Sequence, residues 1–201
     1  MRRIDVIKAM AQVVTAEDLL TTSVGETPDD WWNFKPADNA FYMTSLGSVT
    51  STALGMAVSL PHRRIIAIDS DGSMLMNTGI MCTLGAERPH NLTVVVLDNG
   101  IYESIGGPST HTSRNTDLAK MAEGAGCLNC LTARTLPEFQ SAFQRMLEDN
   151  QMGYLVAKIG GPAHRWDAKD RKPTDGIEDK YRFLRYVEKL ENISIHGGRR
   201  L

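Results

Sequence analysis

With 201 residues and a mass of 22.2 kDa, the chain suits one domain and leaves no room for two full catalytic domains. Hydrophobic residues make up 42% and charged residues 23%, which fits a globular protein able to bury a core and excludes a fibrous or disordered one. The formal charge of -2 excludes broad attraction to nucleic acid or an anionic membrane, so any bound anion must be held locally. No apolar run approaches the roughly 18 residues of a membrane span, and Arg2, Arg3, Asp5 and Lys8 interrupt the N-terminus, which reads as a soluble, unexported chain.

Ile4, Ile7, Ala11 and Val14 recur at helical spacing and predict a first helix over 3–14. A first candidate strand covers 19–22. The polar stretch 24–39, with Trp31, Trp32 and Pro36, predicts a surface loop holding a short helix. From Ser48 onward, Ala53, Leu54, Ala57 and Val58 predict a buried helix, and 64–69 reads as a central buried strand. A helix over 74–84 leads to 92–97, the most strand-like segment present. A glycine-rich loop, 99–113, follows it. The remaining prediction is a helix over 118–122, a strand over 128–132, a helix over 137–147, a strand over 154–159 and, after a polar stretch, a helix over 177–190. This alternation of strands and helices predicts one α/β domain with a mostly parallel sheet.

The three cysteines, Cys82, Cys127 and Cys130, cannot build a disulfide framework and fit a reducing compartment, with the cytoplasm as the expected location. Cys127 and Cys130 have the spacing of a zinc or thiol-exchange pair. Three features argue against that role: the stretch reads as a strand, where i and i+3 point to opposite faces; no second Cys/His pair stands at ligand spacing; and an all-cysteine iron–sulfur site needs four thiolates.

Two strand ends carry the chemistry: Asp69-Ser70-Asp71-Gly72-Ser73 and Asp98-Asn99-Gly100-Ile101-Tyr102. Ligands of open α/β sheets lie outside the carboxyl ends of the strands. Asp71 and Asn99 stand 28 residues apart, about one strand–helix–strand crossover, so they can meet in space. An Asp carboxylate, an Asn amide and one backbone carbonyl supply half of an octahedral Mg²⁺ shell, with phosphate oxygens and water completing it. Gly72 and Ser73 would offer backbone N–H groups and a hydroxyl to that phosphate. Either Asp-Gly or Asn-Gly alone is an ordinary turn signal. Their pairing points to a diphosphate site, in a chain with neither G-x-G-x-x-G nor a Walker loop.

Ser70-Asp71-Gly72-Ser73 followed by Asp98-Asn99 resembles the Gly-Asp-Gly…Asn-Asn signature of thiamine diphosphate enzymes, with Ser70 in place of the first glycine. The resemblance implies that Asp71, Asn99 and the carbonyl of Ile101 bind the metal. Leu46-Gly47-Ser48-Val49 is similar to the family's Gly-Ser-hydrophobic turn, which implies that the Gly47 carbonyl accepts the cofactor's 4′-amino group and that Val49 wedges the cofactor into its bent form. More narrowly, Phe41-Tyr42-Met43, Gly47-Ser48, the run from Asp71 to Asn77, Asp98-Asn99-Gly100 with Gly106-Gly107, and Tyr181 to Tyr186 resemble the branch of sulfopyruvate decarboxylase β subunits and phosphonopyruvate decarboxylases. The likeness covers nearly the whole chain, although Pro108-Ser109-Thr110 stands where that branch has Gln-Pro-Thr.

The resemblance implies a three-layer α/β/α fold that binds thiamine diphosphate and Mg²⁺, and decarboxylation of a small anionic 2-oxo acid. The family's pyrimidine-binding domain, with its activating glutamate, is absent and expected on a partner α subunit in a hetero-oligomer. Tyr102, Glu103 and Ser104 follow the metal loop closely enough to cap the cofactor. His111 and Arg114 in the same loop could meet an anionic substrate tail or shuttle a proton, and solvent exposure explains them equally well. His62, His90, His164 and His196 carry no site signal. Trp31, Trp32 and the loop 100–113 are interface candidates, with core packing the alternative for the tryptophans. Competing readings are a carboligase or other 2-oxo acid decarboxylase built on the same half-site, and a non-catalytic cofactor-binding subunit.

Overall fold

The alternation of apolar side chains along two central strands decides the layering. In β3 (Ile65–Ser70), Ile65 and Ala67 face one side and Ile66 and Ile68 the other. In β4 (Leu92–Asp98), Leu92, Val94 and Val96 are set against Val95 and Leu97 in the same way. Successive strand residues point to opposite faces, so both faces of these strands need covering. Full burial of each such side chain contributes about 1.5–3 kcal/mol.

The computed structural model describes residues 1–35, 37–43, 45–161, 164–173 and 175–195. Within them β3 and β4 are joined by β1 (Leu19–Thr22), β2 (Ala40–Tyr42), β5 (Cys130–Ala133) and β6 (Gly153–Lys158). The result is a six-stranded sheet in the order β2-β1-β3-β4-β6-β5, and every strand pairing is parallel. One face is covered by α1 (Arg3–Val13), α2 (Thr27–Phe34) and α7 (Leu136–Glu148). The other packs under α3 (Val49–Ser59), α4 (Asp71–Met76), α5 (Ile80–Glu87), α6 (Leu118–Gly124) and α8 (Gly176–Glu191). This is the expected three-layer α/β/α arrangement. Among the described residues no helix is long and apolar enough to cross a membrane.

Three expectations need correction. The stretch 24–39 holds the expected short helix, but that helix, α2, is not a surface element: it starts with a proline in its first turn and buries Trp31 completely, at 0% exposure, against the α1 face. Trp31 is therefore core rather than an interface residue; Trp32 remains half-buried, edge-on to Tyr42. The edge strand β2, three residues long, was not anticipated. The helix expected over 74–84 is broken into α4 and α5 at Asn77, whose side-chain amide donates to the Gly47 carbonyl at 2.8 Å. Near β5, Cys127 lies ahead of the strand and is buried, and Cys130 Sγ sits 3.6 Å from its carbonyl oxygen.

Candidate cofactor site

Parallel pairing sends the carboxyl ends of β1, β3, β4 and β6 to one edge. Ser70 is in register with Leu97, so Asp71 and Asp98–Asn99 emerge side by side. Beneath that edge, fully buried Asp69 accepts from Thr50 Oγ1 at 2.7 Å and from the Ser70 N–H at 2.9 Å, and burial pushes its carboxyl pKa up. Ser70 caps α4 by accepting from the Ser73 N–H at 3.3 Å. Ser73 Oγ in turn accepts from the Gly47 N–H at 2.9 Å, which ties the turn before α3 to the turn after β3. Gly47 has φ +78, the left-handed region that favours glycine.

A cavity of about 110 Å³ opens at this edge, lined by Ser70, Asp71, Gly72, Ser73, Asn99, Ile101, Tyr102, Glu103 and Ser104. Leu46, Glu26, Arg3 and Arg165 are also part of its lining. A Cβ on Gly72 would lie 2.5 Å from the Tyr102 ring, so only glycine lets that ring lie over the turn. Asp71 is 1% exposed, and its Oδ2 accepts from Thr110 Oγ1 at 2.6 Å and Thr112 Oγ1 at 3.0 Å. The Thr112 hydroxyl also lies 2.7 Å from Asp98 Oδ1. A hydroxyl has one proton, so Thr112 cannot satisfy both carboxylates at once. Lys158 neutralises Asp98 from the other side. Burial first, and the Asp98 charge as well, raise the Asp71 pKa, against the opposing effect of the threonine hydroxyls. The Asp71 end of this network is thus short of positive charge.

Asn99 Oδ1 accepts from the Ile101 N–H at 3.1 Å, and its amide lies 3.4 Å from Glu103 Oε2. The Ile101 carbonyl takes no hydrogen bond among the described residues. Asp71, Asn99 and Ile101 therefore line the same cavity, and between them they carry a carboxylate, an amide oxygen and a backbone carbonyl, hard-oxygen donors of the type suited to a divalent cation.

The turn Gly47-Ser48-Val49 is not brought to this cavity. Val49 is fully buried in the α3 face of the core and does not line the cavity, whereas Leu46, at the start of that stretch, does. The Gly47 carbonyl already accepts from the Asn77 amide at 2.8 Å, and Ser51 Oγ lies 3.4 Å from it. His111 is exposed and Arg114 with it, because Thr112 is the inward residue of their turn. Neither lines the cavity.

Several contributors had no signal in the sequence. Thr110 and Thr112 are ordinary loop residues until the loop folds back on Asp71. Arg3, at the start of α1, donates to buried Asp30 at 2.7 Å and to the His164 carbonyl at 2.8 Å, and pairs with Glu103 at 3.4 Å. Asp30 also accepts from Trp166 Nε1 at 2.8 Å. Glu26 leaves one carboxylate oxygen buried without a partner.

The fold and this site define the class. Residues 24–157 match the family "Thiamine pyrophosphate enzyme, C-terminal TPP binding domain", and the chain belongs to that family. It is 35% identical, over 94% of its length and 98% of the relative's, to sulfopyruvate decarboxylase subunit beta of Methanocaldococcus jannaschii. It is 28% identical to the subunit of the same name from Methanococcus maripaludis, over 93% of this chain and 98% of that one. Phosphonopyruvate decarboxylase of Streptomyces viridochromogenes is 33% identical over 62% of this chain, and the match spans 31% of that longer protein. Among solved structures, benzoylformate decarboxylase from Polynucleobacter necessarius aligns over 79% of this chain with a TM-score of 0.67 and 19% identity. The alignment spans 33% of that chain, and at this identity the likeness establishes the fold alone.

Proposed function

We propose that this chain is the diphosphate-binding subunit of a thiamine diphosphate- and Mg²⁺-dependent decarboxylase acting on a small anionic 2-oxo acid such as sulfopyruvate or phosphonopyruvate. The observation that carries the reading is the residue set at the sheet edge: Asp71, short of a counter-charge, Asn99, and Ile101, whose carbonyl takes no hydrogen bond among the described residues, line one cavity. Those three would hold the Mg²⁺, and Gly72 and Ser73 would meet the diphosphate with a backbone N–H and a hydroxyl. Tyr102, Glu103 and Ser104 would cover the cofactor from the loop side. Thiamine diphosphate supplies, when bound, the electron sink for the pair left as CO₂ departs. The residues of this chain anchor and orient it.

The cavity of about 110 Å³ and an adjoining one of about 200 Å³, which share Arg3, Asn99, Ile101 and Glu103, together reach only the lower end of the roughly 300–1,000 Å³ of a site that encloses a cofactor-sized ligand. This supports a site walled on one side by another chain. Comparison with relatives supports the same division, since the module spans nearly all of a protein named as a subunit and about a third of a phosphonopyruvate decarboxylase. On this reading a partner subunit brings the pyrimidine-binding domain and the activating glutamate, and the complex works in the cytoplasm. Mixing the purified chain with the chain that copurifies with it should yield CO₂ and an aldehyde from sulfopyruvate or phosphonopyruvate, detected by NMR. A carbon–carbon coupling product would instead identify a carboligase, and thiamine diphosphate binding without turnover would identify a non-catalytic subunit.

A further inference from the structure

One wall of the cavity is built by neither β3 nor β4. Arg165 follows β6, and its two chain neighbours are pinned: the His164 carbonyl by Arg3 at 2.8 Å, and the Trp166 indole by fully buried Asp30 at 2.8 Å. The Trp166 ring is also edge-on to Phe34, at 6.0 Å, and to His164, at 4.8 Å. The backbone on both sides of Arg165 is thereby fixed, and its side chain lines the cavity. Arg165 makes no ion pair or hydrogen bond among the described residues, whereas the other cavity arginine, Arg3, is consumed by Asp30, Glu103 and His164. Of the carboxylates in the cavity lining, Glu103 is engaged by Arg3 and Asn99 and Asp71 by the two threonines; the Glu26 oxygen without a partner is buried. Among the described residues lining the cavity, Arg165 is the cation left available to a ligand.

We infer that Arg165 is a specificity-determining residue that binds the anionic tail, a sulfonate or phosphonate, of the 2-oxo acid; the inference rests on the decarboxylase reading above. A guanidinium fork matches a tetrahedral oxyanion with two parallel N–H···O bonds, which a Lys ammonium cannot reproduce. The cofactor's diphosphate offers the same oxyanion chemistry. The residues read as holding it, Asp71, Gly72, Ser73 and Asn99, all fall within the 24–157 region shared with the family, and Arg165 falls outside. That separation favours the substrate's tail.

The test compares the complex of this chain and its partner with Arg165→Ala and Arg165→Lys versions. Sulfopyruvate carries the tail; pyruvate, which lacks it, is followed as alternative substrate or competitive inhibitor. Arg165→Ala should raise KM for sulfopyruvate about 10- to 100-fold, the usual worth of a charge-assisted contact, and leave the pyruvate constants and thiamine diphosphate affinity unchanged. Arg165→Lys should recover part of the loss. Calorimetry with sulfoacetate, which has the tail but no 2-oxo group, should show binding to the unmodified complex and none to Arg165→Ala. If the unmodified complex decarboxylates neither acid, the decarboxylase reading fails while the sulfoacetate measurement still decides the role of Arg165. The inference is overturned by equal KM changes for both acids, by weakened thiamine diphosphate binding, which would make Arg165 a diphosphate contact, or by unchanged sulfoacetate binding, which would leave it a solvated surface arginine.

Discussion

Thr112 sets one hydroxyl proton between two buried carboxylates, Asp71 and Asp98, and the consequences can be measured one side chain at a time. Replacing it by the isosteric Val should cost about 1.5–3 kcal/mol in urea unfolding without metal, the range for a hydrogen bond to a charged group. Asp71→Ala should abolish Mg²⁺-dependent binding of thiamine diphosphate in calorimetry, because the anionic diphosphate loses its metal bridge; unchanged affinity would remove Asp71 from the metal site. Asn99→Leu should weaken binding less, since a neutral ligand offsets less charge. Gly72→Ala places a Cβ 2.5 Å from the Tyr102 ring and should destabilise by about 1–3 kcal/mol. The double variant with Tyr102→Ala should recover most of that loss, as the clash involves one side chain and no backbone.

At the level of elements, α2 and the segment around Trp166 are joined through one carboxylate. Asp30 accepts from both Arg3 and Trp166 at zero exposure, so Asp30→Ala leaves the indole unpaired and an almost buried guanidinium with only the longer Glu103 pair and the His164 carbonyl. Denaturant unfolding should register a loss of about 3–5 kcal/mol. The chain entering β5 gives a pH prediction. Burial pushes Cys127 up to about 11 and Cys130 up to about 12, so both stay protonated thiols at pH 8. Iodoacetamide at that pH should label exposed Cys82 first in the native protein. The unfolded chain loses these protons near the ordinary thiol value of 9.0, before the folded one does. Stability from this source is therefore complete below about pH 9 and declines as pH rises towards 11–12.

For the whole molecule, the all-parallel sheet gathers the carboxyl ends of all six strands onto one edge, where Asp71, Asn99 and Ile101 line one cavity. The purified chain by itself should release no CO₂ from sulfopyruvate. Titrating the partner into a fixed amount of chain should raise activity to a plateau and tighten thiamine diphosphate binding along the same curve, by mass action. Robust turnover by the isolated chain would contradict the half-site.

What the sequence determined by itself is what depends on local order. Strand runs such as 65–70 and 92–98 are legible because burial on both faces needs unbroken apolar residues, and the Asp71 and Asn99 turns are legible because glycine marks chain reversal at a strand end. The crossover spacing then placed both turns on one edge. The tertiary structure alone decided which partners those residues have. Trp31 sits in a segment with no apolar period and is buried because α1 lies over it; Val49 is withdrawn into the core because α3 packs flat on the sheet. Thr112 rather than His111 turns inward, and Arg3 holds His164 and Asp30 holds Trp166 from more than 130 residues away. Those contacts follow from the path of the chain through space, and a charge or hydroxyl carries no trace in its own neighbourhood of the distant group that will satisfy it.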